Sequence, residues 1–455
     1  MFVSRSYLDI AAVQYYIFYA ILAIMYLLFL RRVRKDLLSA FLFVLFNQGF
    51  LLLIGGSLSY PKILISLLTF AIYLSGNFRM HSKDLKVSWA FSLFSMLYFM
   101  NFYYFNVSLK VAIFQYYKYL IPFMLYLGLR SINIGEKKWD YLAGFVITLI
   151  AFQASFSIVK ILVMGYLEGV IGSIAVSGGS MAVTLPLTGL IFYWIYKNES
   201  IKGRDWFYVA YILLIPIASV KRAIWFIYPI VFMALLLKNA SLKNSRLIGA
   251  AIILTPLIFY FGLKINPTLN PEGKMWGSFD PGYALDYAFD YSGVSEDKQS
   301  GGLAQGRWGS SLALFDNILE HPFSINSVLG FPIVKSGTLD TDEFMAEDFG
   351  MMKGTMMAGI GYLFLKHGYV ATLLLLYVFI GFAGGIRDRY LRLLLVFLLL
   401  WNVLMYSGGI ISNPTQAILF ILLCEYARVK YDAKAKLLRE RNIQNTHFKP
   451  HEGKL

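Results

Sequence analysis

The run Ser219-Val220-Lys221-Arg222-Ala223 sets two adjacent cations between two apolar stretches. A cation beside hydrocarbon is costly unless it meets an anion, and the planar fork of arginine matches phosphate oxygens. The competing reading is a pair that snorkels at a hairpin turn. Arg307 is the only arginine in a long acidic stretch, with Trp308 beside it and glycines at 306 and 309. There the backbone can approach a ligand closely and a helix N-terminus adds donors for an anion; a salt bridge to a neighbouring acid is the plainer alternative. Downstream, Glu320-His321-Pro322-Phe323 precedes Leu329-Gly330-Phe331. His321 is a candidate general base, as is a desolvated Glu320, against the commoner role of a helix-ending cap. His367, between Lys366 and Gly368, and the acids Glu347 and Asp348 with Lys353 nearby complete the titratable candidates. Lys118 and Lys160 fall inside apolar stretches, where an ionisable side chain is a functional candidate by default and snorkelling to an interface is the alternative.

Missing residues narrow the chemistry further. The single Cys424 rules out an intramolecular disulfide, and five scattered histidines with one cysteine offer no zinc or iron ligand set, so no metal and no cofactor is expected. The chain has no phosphate-cradling P-loop, no glycine-rich dinucleotide fingerprint, no GxSxG and no HExxH, so nothing in it indicates a nucleotide-driven pump or a Rossmann enzyme.

Membrane-embedded helices have to position these groups. With 58% hydrophobic and 15% charged residues over 455 positions, the apolar surface exceeds what one water-soluble core can hide. The fold class expected is an all-α polytopic membrane protein of about 12–14 transmembrane helices with one large, partly helical periplasmic loop. Spans are predicted near 10–30, 37–53, 60–74, 89–105, 111–129, 141–162, 181–196, 206–219, 223–237, 247–263, 369–385, 391–406 and 416–427. The first is too long for a cleavable signal. The organisation is therefore a bundle over 1–263, the loop over 264–355, a re-entry helix and the last three spans over 356–427, and a basic cytoplasmic tail over 428–455.

The net charge of +15 comes from lysines and arginines concentrated in alternate loops, which is a topology signal and not a nucleic-acid surface. It places the N-terminus outside and the C-terminus inside, with 425–441 as a basic helix along the membrane surface. The pair Lys221 and Arg222 falls on the outer side, where cations are otherwise scarce. The long loop holds 13 of the 26 acidic residues against six cations, and ordered loops of that length are where binding and catalysis concentrate. From Gln305, Trp308, Leu312, Phe315 and Leu319 recur at helical spacing and predict an amphipathic helix ending at His321-Pro322. The stretch 351–365 is expected to lie on the surface as a helix leading into the next span, and the Gly- and Ser-rich 165–180 to be a plain outer loop, with the mouth of a cavity as the alternative.

Taken in order, these features resemble the O-antigen polymerase and O-antigen ligase superfamily of bacterial inner-membrane glycosyltransferases. The resemblance rests on Arg222-Ala223-Ile224-Trp225 at an outer hairpin, two further spans, and a long loop carrying Arg307-Trp308, a helix ending in His321-Pro322-Phe323, then Leu329-Gly330, and a glycine-containing re-entry at His367-Gly368-Tyr369. It implies transfer of an oligosaccharide from undecaprenyl pyrophosphate to an acceptor sugar hydroxyl, without metal or nucleotide. It also implies the partners: lipid-linked glycans, the bilayer and a chain-length regulator protein. Arg222 and Arg307, assisted by Lys221, would stabilise the charge that builds on the departing pyrophosphate. Ligases carry a His-Asn pair shortly before the re-entry glycine, where this chain has Met357. The expectation is therefore a polymerase of surface polysaccharide repeat units, with Glu347, Asp348 or His321 as base; the alternatives are a ligase acting on lipid A core and, from another class, a flippase for a lipid-linked glycan.

Overall fold

The computed structural model describes residues 36–49, 59–76, 82–132, 134–164, 170–174, 179–199, 203–219, 221–238, 259–266, 269–274, 276–292, 306–331 and 357–447, with positions 20, 24, 253, 256 and 257. No strand occurs among the described residues, and the helices are α1 (Leu37–Phe46), α2 (Ser59–Leu74), α3 (Ser82–Tyr104), α4 (Leu109–Ser131), α5 (Glu136–Met164), α6 (Met181–Tyr196), α7 (Asp205–Ala218), α8 (Ile224–Lys238), α9 (Pro281–Ser292), α10 (Gly306–Glu320), α11 (Ile325–Leu329), α12 (Gly359–Ala383), α13 (Arg389–Leu404), α14 (Gly409–Ser412) and α15 (Pro414–His447). Two of them, α5 and α12, are long and apolar enough to cross a membrane, and α1, α2, α6, α7 and α8 are shorter apolar helices.

Short polar residues punctuate these apolar runs. The Asp36 carboxylate accepts from the Ser39 amide at 2.8 Å to start α1, and that of Asp388 accepts from Leu391 at 2.7 Å to start α13. Helix α6 is buried from Met181 to Ile195, as expected of a helix surrounded by others. On α3 the outward face carries Leu85, Trp89, Leu93, Met96 and Met100 at three- and four-residue spacing, where a water-facing helix would be polar. Its inward face packs against α12, with Val87 opposite Gly381 and Phe94 and Tyr98 against His367, so the two run antiparallel. Helices α2 and α4 run parallel, with Lys62 over Phe114 near their starts and Tyr73 against Gly128 near their ends.

This arrangement sorts the charges. At one end, where α4 and α8 finish and α3, α5 and α13 begin, Arg130 meets Glu425 at 2.8 Å and Arg428 grips the same carboxylate through Nε and Nη2 at 2.8 and 2.6 Å. Lys238 meets Glu199 at 3.2 Å and Asp388 at 3.0 Å, and Lys430 meets Asp140 at 2.9 Å and Glu136 at 3.1 Å. Every ion pair among the described residues belongs to this end or to the helix that extends from it. The long loop supplies α9, α10 and α11 to the opposite end.

Several expectations change. The predicted span 10–30 and most of 247–263 lie outside the described residues. Of the stretch 351–365 expected on the surface, 351–356 lie outside the described residues, and the part within α12 is not on the surface: Gly359, Ile360, Gly361, Leu363 and Leu365 are buried, because Gly361 lets the turn close onto Ser311. The predicted start at 369 coincides with a break in α12 at Gly368, where φ is 71°; the stretch before the break, from Gly359, is helical as well. The outer segment 165–180 is not a plain loop where it is described, since Val170–Ile174 is buried and Ser173 donates its hydroxyl to Asn47 Oδ1 at 3.0 Å and its amide to Gln153 Oε1 at 2.7 Å. Polar side chains there satisfy a backbone that has left the surface. The basic tail helix is continuous with the last apolar stretch as α15.

Candidate functional site

The end opposite the ion pairs carries the arginines singled out by the sequence. Arg222 sits in the turn between α7 and α8, half-buried beside half-buried Lys221. Its guanidinium donates through Nη1 to the Tyr287 hydroxyl and lies over that ring, 4.9 Å from its centroid. Tyr287 belongs to α9, so the first helix of the loop rests on Arg222. The turn that leads into α9 is held by Glu272, which accepts from the Ser278 amide at 2.7 Å and hydroxyl at 3.0 Å; these two donors hold its carboxyl below the usual glutamate range.

Arg307 begins α10, which packs against α9. Its guanidinium lies over the Tyr406 ring at 5.0 Å, just beyond α13, and Tyr406 stacks in turn on Trp401. The Arg307 carbonyl accepts from the Ala358 amide at 3.0 Å, which ties α10 to the start of α12. The Arg307 Nε and the Ser407 hydroxyl beside Tyr406 are buried without a hydrogen-bond partner. Orphan donors are costly inside a protein, so the pair is unfavourable as it stands.

An apolar cavity of about 260 Å³ runs between α7, α8 and the helical residues 259–265, lined by Leu213, Pro216, Ile224, Trp225, Tyr228 and Phe232. Ile217, Leu257 and Phe261, all exposed, form its rim. Ile224 and Trp225, which line the cavity, follow Arg222 by two and three residues in the chain.

The two loop elements further along dock on α12 through interlocked glycines. Gly330, with φ 90°, faces the backbone of His367 and Lys366 so closely that a Cβ would stand 2.6 Å from it, and a Cβ at Gly368 would stand 2.1 Å from the Val328 carbonyl oxygen. Both positive φ values and both approaches require glycine. The Phe331 amide completes the junction by donating to the Leu365 carbonyl at 2.7 Å, and the Asn101 amide donates to the Leu329 carbonyl at 2.6 Å.

His367 is buried at that junction among Phe94, Tyr98 and Tyr119, with its Nε2 and the Tyr119 hydroxyl hydrogen bonded at 2.7 Å. His321 lies elsewhere, exposed at the far end of α10, about 20 Å along the helix axis from Arg307. It is not brought to the arginines, because α10 is one uninterrupted helix. Trp308 is half-buried next to Arg307. Glu347, Asp348 and Lys353 lie outside the described residues. Lys118 is half-buried on α4, and Lys160, fully buried on α5, donates to the Gly172 carbonyl at 2.6 Å.

Reading the sequence missed Tyr287 and Tyr406, the rings that face the two guanidiniums. Among 32 tyrosines nothing in spacing distinguishes them. Compared with protein-family models, with curated proteins and with solved structures, the chain matches none.

Proposed function

We propose that this protein is a polytopic bacterial inner-membrane enzyme that polymerises undecaprenyl-pyrophosphate-linked oligosaccharide repeat units into a surface polysaccharide. The observation that carries the reading is Arg222 held by Tyr287 in the turn that precedes α8, the helix whose Ile224, Trp225 and Tyr228 line an apolar cavity. A lipid diphosphate has the matching halves: oxygens for the guanidinium and a polyprenyl chain for the cavity. Arg307, at the same end, brings a second guanidinium with an unpartnered Nε. The apolar outward faces of α3 and α2 support a surrounding of lipid. The sorting of charges supports a cytoplasmic ion-pair end that holds the C-terminus, and a periplasmic loop end on the side of the N-terminus.

In the proposed reaction the acceptor sugar hydroxyl attacks the anomeric carbon of the donor. A new carbon–oxygen bond forms as the bond from that carbon to the phosphate oxygen breaks. Undecaprenyl pyrophosphate departs with the electron pair, and the hydroxyl proton passes to a base. Arg222 and Arg307 stabilise the charge that grows on the leaving oxygen, which is greater in the transition state than in the bound substrate. With His321 distant and His367 committed to Tyr119, the base is assigned to Glu347 or Asp348. Met357, in the place of the ligase histidine pair, favours a polymerase over a ligase.

The test is elongation of a lipid-linked repeat unit by purified protein in detergent, with products resolved by length. Arg222→Ala and Arg307→Ala should each lower the rate by about 100-fold or more, and the lysine variants should recover only part of it because lysine cannot make the bidentate contact. Wild-type chain lengths from both alanine variants would refute the arginine assignment. Purified wild-type protein that moves the lipid-linked unit across a vesicle bilayer yet never extends it would instead make the protein a flippase.

A further inference from the structure

Three lysines converge on the other flank of α12, away from the arginines. Lys366, on the turn just before the break at Gly368, is buried and donates its ammonium to Gln115 Oε1 on α4 at 2.9 Å, lying over the Tyr119 ring at 5.8 Å. Lys118, three residues from Gln115 along the same helix, is within electrostatic reach of both Lys366 and Lys62. Lys62 comes from α2 and lies over the Phe114 ring at 4.8 Å. Among the described residues none of the three forms an ion pair with a carboxylate, and the neutral partners they have are an amide oxygen and aromatic rings. Like charges gathered without a counter-charge in a partly apolar setting are unfavourable by themselves, so their arrangement anticipates an anion.

We propose that Lys62, Lys118 and Lys366 form a second anion site, which takes a phosphate-bearing group and is separate from the arginine pair. Lysine ammoniums act as compact point charges and suit a phosphate approached from several helices, whereas the bidentate fork of arginine serves one planar contact. Lys366 and Lys118 are supplied by α12 and α4, while α2 brings Lys62. The site therefore forms only when the three helices are packed together. Gln115 Nε2 is a further donor within the same turn of α4. The inference does not depend on the glycosyltransferase reading, since it concerns residues that reading does not use.

Two sources carry this chemistry, a phospholipid headgroup and a free phosphate anion. Purified full-length protein in neutral detergent would be titrated with dioleoyl phosphatidic acid, with dioleoylglycerol as the uncharged control, and separately with inorganic pyrophosphate, reading binding by native mass spectrometry and by the unfolding temperature. Wild-type protein should bind phosphatidic acid, pyrophosphate or both, but not dioleoylglycerol. With Arg222 and Arg307 both replaced by alanine, so that the proposed arginine site is removed, Lys118→Gln and Lys366→Gln should each weaken the remaining binding at least about tenfold. Binding of phosphatidic acid alone assigns the site to a lipid headgroup, and binding of pyrophosphate alone assigns it to a free anion. Removing one lysine should also raise the unfolding temperature of the unliganded protein, because mutual repulsion falls. Lys62→Gln, at the half-exposed rim, provides a variant least prone to disturb the fold. Absence of binding by either anion, binding untouched by all three lysine variants, or a lowered unfolding temperature in all three would overturn the proposal.

Discussion

The two ends of the bundle use cations in opposite ways. At one, Arg130, Arg428, Lys238 and Lys430 each meet a carboxylate within 3.2 Å, and Glu425, fully buried, is shared by two arginines. At the other, Arg222 and Arg307 face the rings of Tyr287 and Tyr406, and Lys366 faces an amide. A carboxylate neutralises a buried cation permanently and leaves nothing for a ligand. A tyrosine ring holds a guanidinium in place by cation–π attraction while preserving its charge and its outward N–H groups. The first end gathers its cations into carboxylate pairs, and the second is where the proposed function places an anion.

Removing a charge at each end is the sharpest way to break that comparison. Glu425→Ala leaves Arg130 and Arg428 without their shared counter-ion and should cost about 3–5 kcal/mol, read as a lowered unfolding temperature of purified protein. Arg307→Ala should leave that temperature nearly unchanged while abolishing elongation. If the two variants exchanged these phenotypes, the division into a structural and a functional end would fail.

The junction between loop and bundle gives an intermediate effect. Gly368→Ala forces a side chain into a φ of 71° and against the Val328 carbonyl, a strain of about 1–3 kcal/mol. It should release α11 from α12, seen as faster hydrogen exchange in 325–331. Gly330→Ala should do the same, and the double variant should cost less than the sum, since either change already parts the same contact. Strict additivity would mean that the two glycines serve separate contacts.

The smallest effect is expected where an ion pair is fully solvated. Lys436 and Glu440 stand 4.0 Å apart on the exposed part of α15, with side chains 80% and 54% exposed. Lys436→Ala should change stability by no more than about 0.5 kcal/mol, measured in the same unfolding assay. A larger loss would show that pairing there depends on more than burial.

The sequence alone determined what depends on local pattern. Apolar runs specify helices, the helix 306–320 follows from Trp308, Leu312, Phe315 and Leu319 on one stripe, and the basic loops mark one end. It also isolated Arg222, Arg307 and Gly368, whose residue types are unusual in their surroundings. Only the tertiary structure decided which partner each of these meets. Lys366 and Gln115 are 251 residues apart, and Tyr119 and His367 are 248 apart. Their meeting depends on the register in which α3, α4 and α12 pack, which is set by how aromatic rings and small residues interlock between helices. Periodicity specifies which face of a helix is buried, but carries no information about the face that covers it.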